Sequence, residues 1–178
     1  VSHVIPERVR VKLLRPSSRM PQYMSAGAAG ADVFADLEHL VPNATAWTSD
    51  SASGLRLSRG VEVEGVRAYL CRNWHSGTPV TYRIPLGFAI EIPVGHVGLL
   101  KGRSGFAAAG NEAHVAYIDS DYRGEVAMIV HVVAHLTIAH GDRVGQIAIV
   151  PAPQYRFDAV DELSSTERGT GGFGSTGK

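Results

Sequence analysis

The sequence holds a single cysteine among its 178 residues. That excludes a disulfide framework and any site built from several thiolates, so Cys71 is expected to be a spectator thiol in a reducing compartment. A surplus of charge is also missing. The 17 basic and 17 acidic side chains cancel, which argues against the basic stripe of a dedicated nucleic-acid binder. No apolar run approaches the roughly 18 residues of a membrane-spanning helix. The first fifteen residues are charged throughout and lack the apolar core of a signal peptide. These absences lead us to expect one neutral domain over residues 1–178, cytoplasmic or otherwise intracellular, with neither nucleic acid nor membrane among its partners.

Helical periodicity is nearly missing too. Apolar residues alternate with polar ones over 9–13 (VRVKL), 61–64 (VEVE) and 90–92 (IEI), the mark of half-buried strands. Longer β-branched runs follow at 125–133 (EVAMIVHVV) and 143–150 (RVGQIAIV). Gly, Pro, Asn and Asp clusters separate them. Strands at this spacing read as a sandwich, jelly roll or barrel. The one window friendly to helix, 106–109, is too short for more than a turn or two. The fold class is all-β.

Four segments could carry chemistry. The end of the sequence, 168–178 (RGTGGFGSTGK), holds five glycines among eleven residues. It cannot build a core and is expected to be a mobile arm. Its GFGSTGK nearly spells a P-loop, but that motif needs a preceding strand and a following Ser or Thr and helix, so the Walker reading is expected to fail. Unhindered amides and hydroxyls there still suit phosphate oxygens, and Phe173 is a stacking surface. Residues 118–124 (IDSDYRG) are either a plain turn or a rigid strand end whose carboxylate positions a water. Residues 101–105 (KGRSG) combine guanidinium, hydroxyl and backbone amides in a bend suited to an anion. Gly141-Asp142-Arg143 reads as a turn, with Gln146 either satisfied in the core or facing a ligand. His131 and His135, four apart on one presumed strand, would stand about 13 Å apart, too far for one metal ion.

Together with residues 28–33, and taken in chain order, these segments resemble the five motifs of the trimeric dUTPase family. Residues 28–33 (AAGADV) look like the first, 102–107 (GRSGFA) the second and 116–125 (AYIDSDYRGE) the third. Residues 141–146 (GDRVGQ) are similar to the fourth, and 168–177 (RGTGGFGSTG) to the fifth. The resemblance implies a jelly-roll or distorted-barrel subunit, a homotrimer with shared active sites, and Mg²⁺-assisted cleavage of dUTP to dUMP and pyrophosphate. It implies that Asp119 orients the attacking water and that Tyr122 lies under the deoxyribose and excludes a 2′-hydroxyl. The main chain of a hairpin from Ala116 through Tyr117 to Ile118, facing Ala127, would pair with uracil. Arg103, Ser104, Gly105 and Gln146 would hold phosphates. Arg168, Phe173, Gly174, Ser175 and Thr176 would arrive from a neighbouring subunit, and Asp32 would sit near waters of the metal.

The sequence also departs from the pattern. Gly102 replaces the usual Pro of the second motif, Ala116 and Tyr117 replace Gly and a small aliphatic in the third, and Val132 stands where an Asn is usual. About 35 extra residues, 43–78, intervene between the first two motifs. They carry an alternating stretch over 60–70, Cys71, Trp47, Trp74 and His75, and are expected to form a surface hairpin with a loop, either decoration or a docking surface for an unknown protein partner. A dCTP deaminase is the first rival, but the strand over 126–134 has no carboxylate for that chemistry. A binding module without catalysis is the second, and the presence of every expected catalytic residue speaks against it.

Overall fold

A computed structural model describes residues 8–38, 60–63, 66–72, 80–108, 112–132 and 135–171. Phe173, Gly174, Ser175, Thr176, Trp47, Trp74 and His75 lie outside the described residues. The period-two stretches are strands: β1 (Arg10–Leu13), β2 (Ala31–Phe34), β3 (Gly60–Val63), β4 (Val66–Arg72), β5 (Val80–Pro85), β6 (Phe88–Glu91), β7 (His96–Gly102), β8 (Glu112–Ala113), β9 (Ala116–Ile118), β10 (Ala127–Val132), β11 (His135–Ala139) and β12 (Arg143–Pro151). One short helix, α1 (Ser104–Ala108), begins two residues before the window expected from sequence.

The strands form four antiparallel sheets, ordered β1-β6, β5-β10-β8, β11-β4-β3 and β2-β12-β7-β9. Residues of all four sheets meet in one apolar cluster. Val33 and Leu100 enter it from the four-stranded sheet, Phe88 from β6, Val130 from β10 and Ile138 from β11. Alternation is visible within β10, where Met128 and Val130 are buried and Ile129 and His131 half-buried. This is the all-β architecture that the pattern of short strands implied, of the jelly-roll type expected from the resemblance.

The expected insert, 43–78, needs correction in its second half. Its alternating stretch is two strands rather than one, paired with Val63 facing Val66. β4 also pairs with β11 over five positions, from Ala68 opposite Ala139 to Arg72 opposite His135. It is therefore the middle strand of a three-stranded sheet. His131 and His135 sit on β10 and β11, in different sheets, so the single strand assumed for the pair is absent.

Candidate active site

The best-defined polar cluster centres on Asp32. All four residues of β2 are buried, and Asp32 is 1% exposed. A carboxylate so buried needs charged or hydrogen-bonding partners. Gln146 Nε2 donates to its Oδ1 at 2.8 Å. Arg143 Nη1 lies 3.4 Å and Arg103 Nε 3.6 Å from its Oδ2. The ladders set this up, since Asp32 faces Gln146 on β12 and Gln146 faces Lys101 on β7. Arg143 and Gln146 are three apart, a spacing that points side chains to opposite faces of a regular strand. The register shift between Arg143 and Gly145 resets that parity and lets both reach Asp32. Glycines keep the row tight: a Cβ on Gly30 would stand 3.2 Å from Gln146 Cβ, and one on Gly145 would meet the Met128 sulfur and the Lys101 carbonyl.

Two guanidiniums thus share one carboxylate, leaving a net positive charge. Both remain partly open to solvent, Arg103 at 35% and Arg143 at 42%. Ser104 and Gly105 are exposed beside them at the start of α1. This set can hold the oxygens of a phosphate chain. Gln146 is satisfied by Asp32 rather than unpaired. The resemblance places Asp32 beside metal-bound waters, whereas here its oxygens are turned to Gln146, Arg143 and Arg103. Its role in this structure is to hold those side chains. Arg143, read from sequence as part of a turn, was missed as a site residue because the bulge hid its alignment with Gln146.

A second group lies at the other end of β7. β9 is the edge of its sheet, with Gly98 facing Ile118 and Leu100 facing Ala116. The chain then turns, the Tyr122 amide donating to Asp119 O at 3.1 Å. Asp119 and Tyr117 are exposed and Ile118 is buried. Tyr122 folds back, its hydroxyl donating to Glu125 O at 3.1 Å, over Gly124, where a Cβ would strike the ring. Arg123 Nη1 donates to Ser120 O at 2.7 Å and Tyr122 O at 2.8 Å. The expected hairpin of 116–118 facing Ala127 needs correcting: β9 and β10 belong to different sheets and no ladder joins them. β8 covers only Val130 and His131 on one side of β10, so the backbone near Ala127 is open on that side among the described residues.

Arg168 forms a third group on its own. Its Nε donates to Gly171 O at 2.8 Å, and Gly169, at φ 52°, closes a turn by donating to Thr166. The arm leading there is unusual. Ala152 donates to Gly95 O, and from there to residue 171 the chain has no strand or helix. Tyr155, Phe157, Val160 and Leu163 are 62–94% exposed.

A buried ionic network underlies the second group. Arg15 donates from Nε to Asp36 Oδ2 at 2.7 Å and from Nη2 to Glu125 Oε1. Ser17 and Ser18 donate to the two Asp36 oxygens at 2.9 and 2.7 Å, and His140 Nδ1 accepts the Leu37 amide at 3.1 Å. Burial opposes the charge on Asp36, but the hydrogen bonds from Ser18, Arg15 and Ser17 prevail and hold its pKa below the ordinary value. Burial likewise opposes the charge on Arg15, and the bonds to Asp36 and Glu125 overcome it, raising its pKa.

Comparison with known proteins places this geometry. A family model described as dUTPase matches residues 69–177. The deoxyuridine 5'-triphosphate nucleotidohydrolase of Bdellovibrio bacteriovorus is 37% identical over 164 residues, covering 89% of this chain and 88% of that one. The chain belongs to the dUTPase family. The dUTPase match opens at Tyr69, inside β4, which puts that strand in the body the family shares. A second relative, from Dinoroseobacter shibae, bears the same name and is 34% identical over 164 residues, with 89% and 88% of the two chains covered. A mutant dUTPase of Staphylococcus bacteriophage 80alpha, solved with dUpNHpp, has a TM-score of 0.73 at 22% identity, covering 97% of this chain and all of that one. A mutant dUTPase from phage phi11 of S. aureus, described for its coordination of a structural Mg(II) ion, has a TM-score of 0.64 at 19% identity, covering 88% and 99%.

Among the described residues no group of three or more His, Cys, Asp or Glu side chains could cage a metal.

Proposed function

We propose that this dUTPase cleaves dUTP to dUMP and pyrophosphate as a homotrimer whose active sites draw on more than one copy. The carrying observation is the separation of the two groups along β7. Ile118, just before Asp119, faces Gly98, while Arg103 lies five residues further along. At about 3.3 Å per residue that is roughly 17 Å, too far for Asp119 and Arg103 of one chain to act on one phosphate. Exchange between copies brings them together. The exposed apolar arm supports the same arrangement, since four large apolar side chains in open solvent would each lose about 1.5–3 kcal/mol relative to burial. A neighbouring copy is a fitting cover. The lone cysteine suits a reducing, cytoplasmic setting.

Asp119 accepts a proton from the attacking water and aims it at the α-phosphate. Tyr122 presents a ring face to the deoxyribose, and the open backbone of β9 and Ala127 pairs with uracil. Arg103, Ser104, Gly105 and Gln146, with Arg143 behind them, take the phosphate oxygens. Arg168 and the segment holding Phe173, Gly174, Ser175 and Thr176 close over the nucleotide and exclude water. Magnesium on the triphosphate would neutralise charge that develops on the phosphates.

Pyrophosphate and ammonia release, measured side by side with dUTP, dCTP and UTP, tests the reaction. Pyrophosphate from dUTP alone is expected; ammonia from dCTP would overturn it. For the shared site, a truncation lacking 168–178 is mixed with Asp119→Asn subunits. Activity is expected to return in mixed trimers, and inactive mixed trimers would refute the exchange.

A further inference from the structure

Glu125 joins two structures that are otherwise separate. Its side chain belongs to the buried network, where Oε1 accepts from Arg15 and, at 3.1 Å, from the amide of Gly87. Its main-chain carbonyl accepts the Tyr122 hydroxyl. The ground beneath it is fixed. Leu86 donates to Val126 O and Val126 to Phe88 O, at 3.1 and 2.9 Å, bracketing Gly87. Gly87 sits at φ 74°, and a Cβ there would strike Asp36 Oδ2 and Ser18 Oγ. Asp36 is 1% exposed and receives Arg15, Ser17 and Ser18 at once. The turn carrying Asp119 and Tyr122 is itself exposed and short of burial. Without an anchor, an exposed turn samples many arrangements.

We propose that Arg15 and Glu125 are positioning residues for this dUTPase: the Arg15–Glu125 bridge to Asp36 fixes the height of Tyr122, and so the tightness with which the enzyme refuses a ribose 2′-hydroxyl. The inference rests on the reading of Tyr122 as the surface beneath the sugar. The line of force is short. Arg15 holds the Glu125 carboxylate, the Glu125 carbonyl holds the Tyr122 hydroxyl, and the Tyr122 amide holds the Asp119 carbonyl. Arg123, bonded to Ser120 O and Tyr122 O, makes the span between them stiff. A displacement at Glu125 is therefore carried to the ring rather than absorbed in between. Neither Arg15 nor Glu125 needs to touch substrate for this.

The test compares wild type, Glu125→Gln, Arg15→Met and the double variant as intact trimers, with kcat and KM for dUTP and UTP. Glu125→Gln keeps an acceptor for Gly87 and loses the charge that Arg15 grips. Wild-type preference for dUTP checks the Tyr122 reading, and the variants check the anchor, so the two can fail separately. The expected result is a fall in kcat/KM for dUTP of roughly tenfold to hundredfold, the scale of misplacement by about an ångström, with a much smaller fall for UTP. Selectivity then narrows by about tenfold or more. The double variant should be no worse than the worse single one, because the two residues form one bridge. A purely structural role would lower both substrates together and leave selectivity unchanged, and that result in folded trimers overturns the proposal. Should Arg15→Met not fold, Glu125→Gln decides alone.

Discussion

Removing β4 should cost this protein its fold, whereas removing the residues before β3 should not. Two deletions separate these cases: one of 43–59, which spares both strands, and one of 43–78, which takes them away. The second deprives β11 of a partner over five facing positions. A ladder of that length carries about five hydrogen bonds, each with a net value of about 0.5–1.5 kcal/mol, or roughly 3–7 kcal/mol together. Ile138, on β11 and 2% exposed, faces Tyr69 of β4, and uncovering it adds up to about 1.5–3 kcal/mol. The sum rivals the entire stability of an ordinary domain, about 5–15 kcal/mol. Deleting 43–59 removes no position of a described ladder, and shortening the stretch between β2 and β3 about threefold changes closure entropy by only about 1 kcal/mol. Urea unfolding at fixed protomer concentration, with light scattering for trimers and dUTP turnover, measures both. The 43–59 deletion is expected to match wild type, and the 43–78 deletion to lose the trimer and its activity. A stable, active 43–78 deletion would refute the assignment of β4 to the shared body.

Asp119→Asn should abolish pyrophosphate release while leaving thermal unfolding and nucleotide binding near wild type, because the amide keeps the shape and loses the basicity; turnover near wild type would refute the base. Asp36→Asn should flatten the acid limb of stability. The folded pKa of Asp36 is lowered, so its contribution is complete above the unfolded value, about 3.9, and is lost as pH falls from there through the folded value. Urea midpoints between pH 7 and pH 3 should therefore drop more steeply for wild type than for the variant. Asp32→Leu should weaken both binding and stability, by about 1–3 kcal/mol for the Gln146 amide left without its acceptor and the lost contacts to the half-open arginines, read as a raised KM for dUTP and a lower urea midpoint.

Much of the barrel was legible in the sequence because alternation is a local property. The alternation over 9–13 and 90–92 can be read from a few letters each, and β1 and β6 lie there. The β4–β11 pairing could not be, because it joins residues more than sixty apart and both strands look alike whether they lie in a sheet or on its surface. The motifs named Arg103, Gln146 and Asp119, yet nothing local separates residues that meet within one chain from residues that meet between copies. What the strand register adds is distance within one copy, because it places Ile118 opposite Gly98 while Arg103 follows the far end of β7.

Asp32 shows why the site itself needed coordinates. Its letter, inside a run of small residues, is compatible with a ligand for a hydrated metal or with a counter-ion for phosphate-binding cations. Burial decides between them. At 1% exposure an unpaired charge would be prohibitive, and Gln146, Arg143 and Arg103 on its oxygens supply the pairing. That pairing also accounts for two arginines converging on one carboxylate oxygen. One shared carboxylate offsets their repulsion without neutralising them, and the remaining charge is left for the triphosphate. The bulge that brings Arg143 into line with Gln146 is the structural step that makes the arrangement work, and one extra residue in a strand leaves no mark in composition or periodicity.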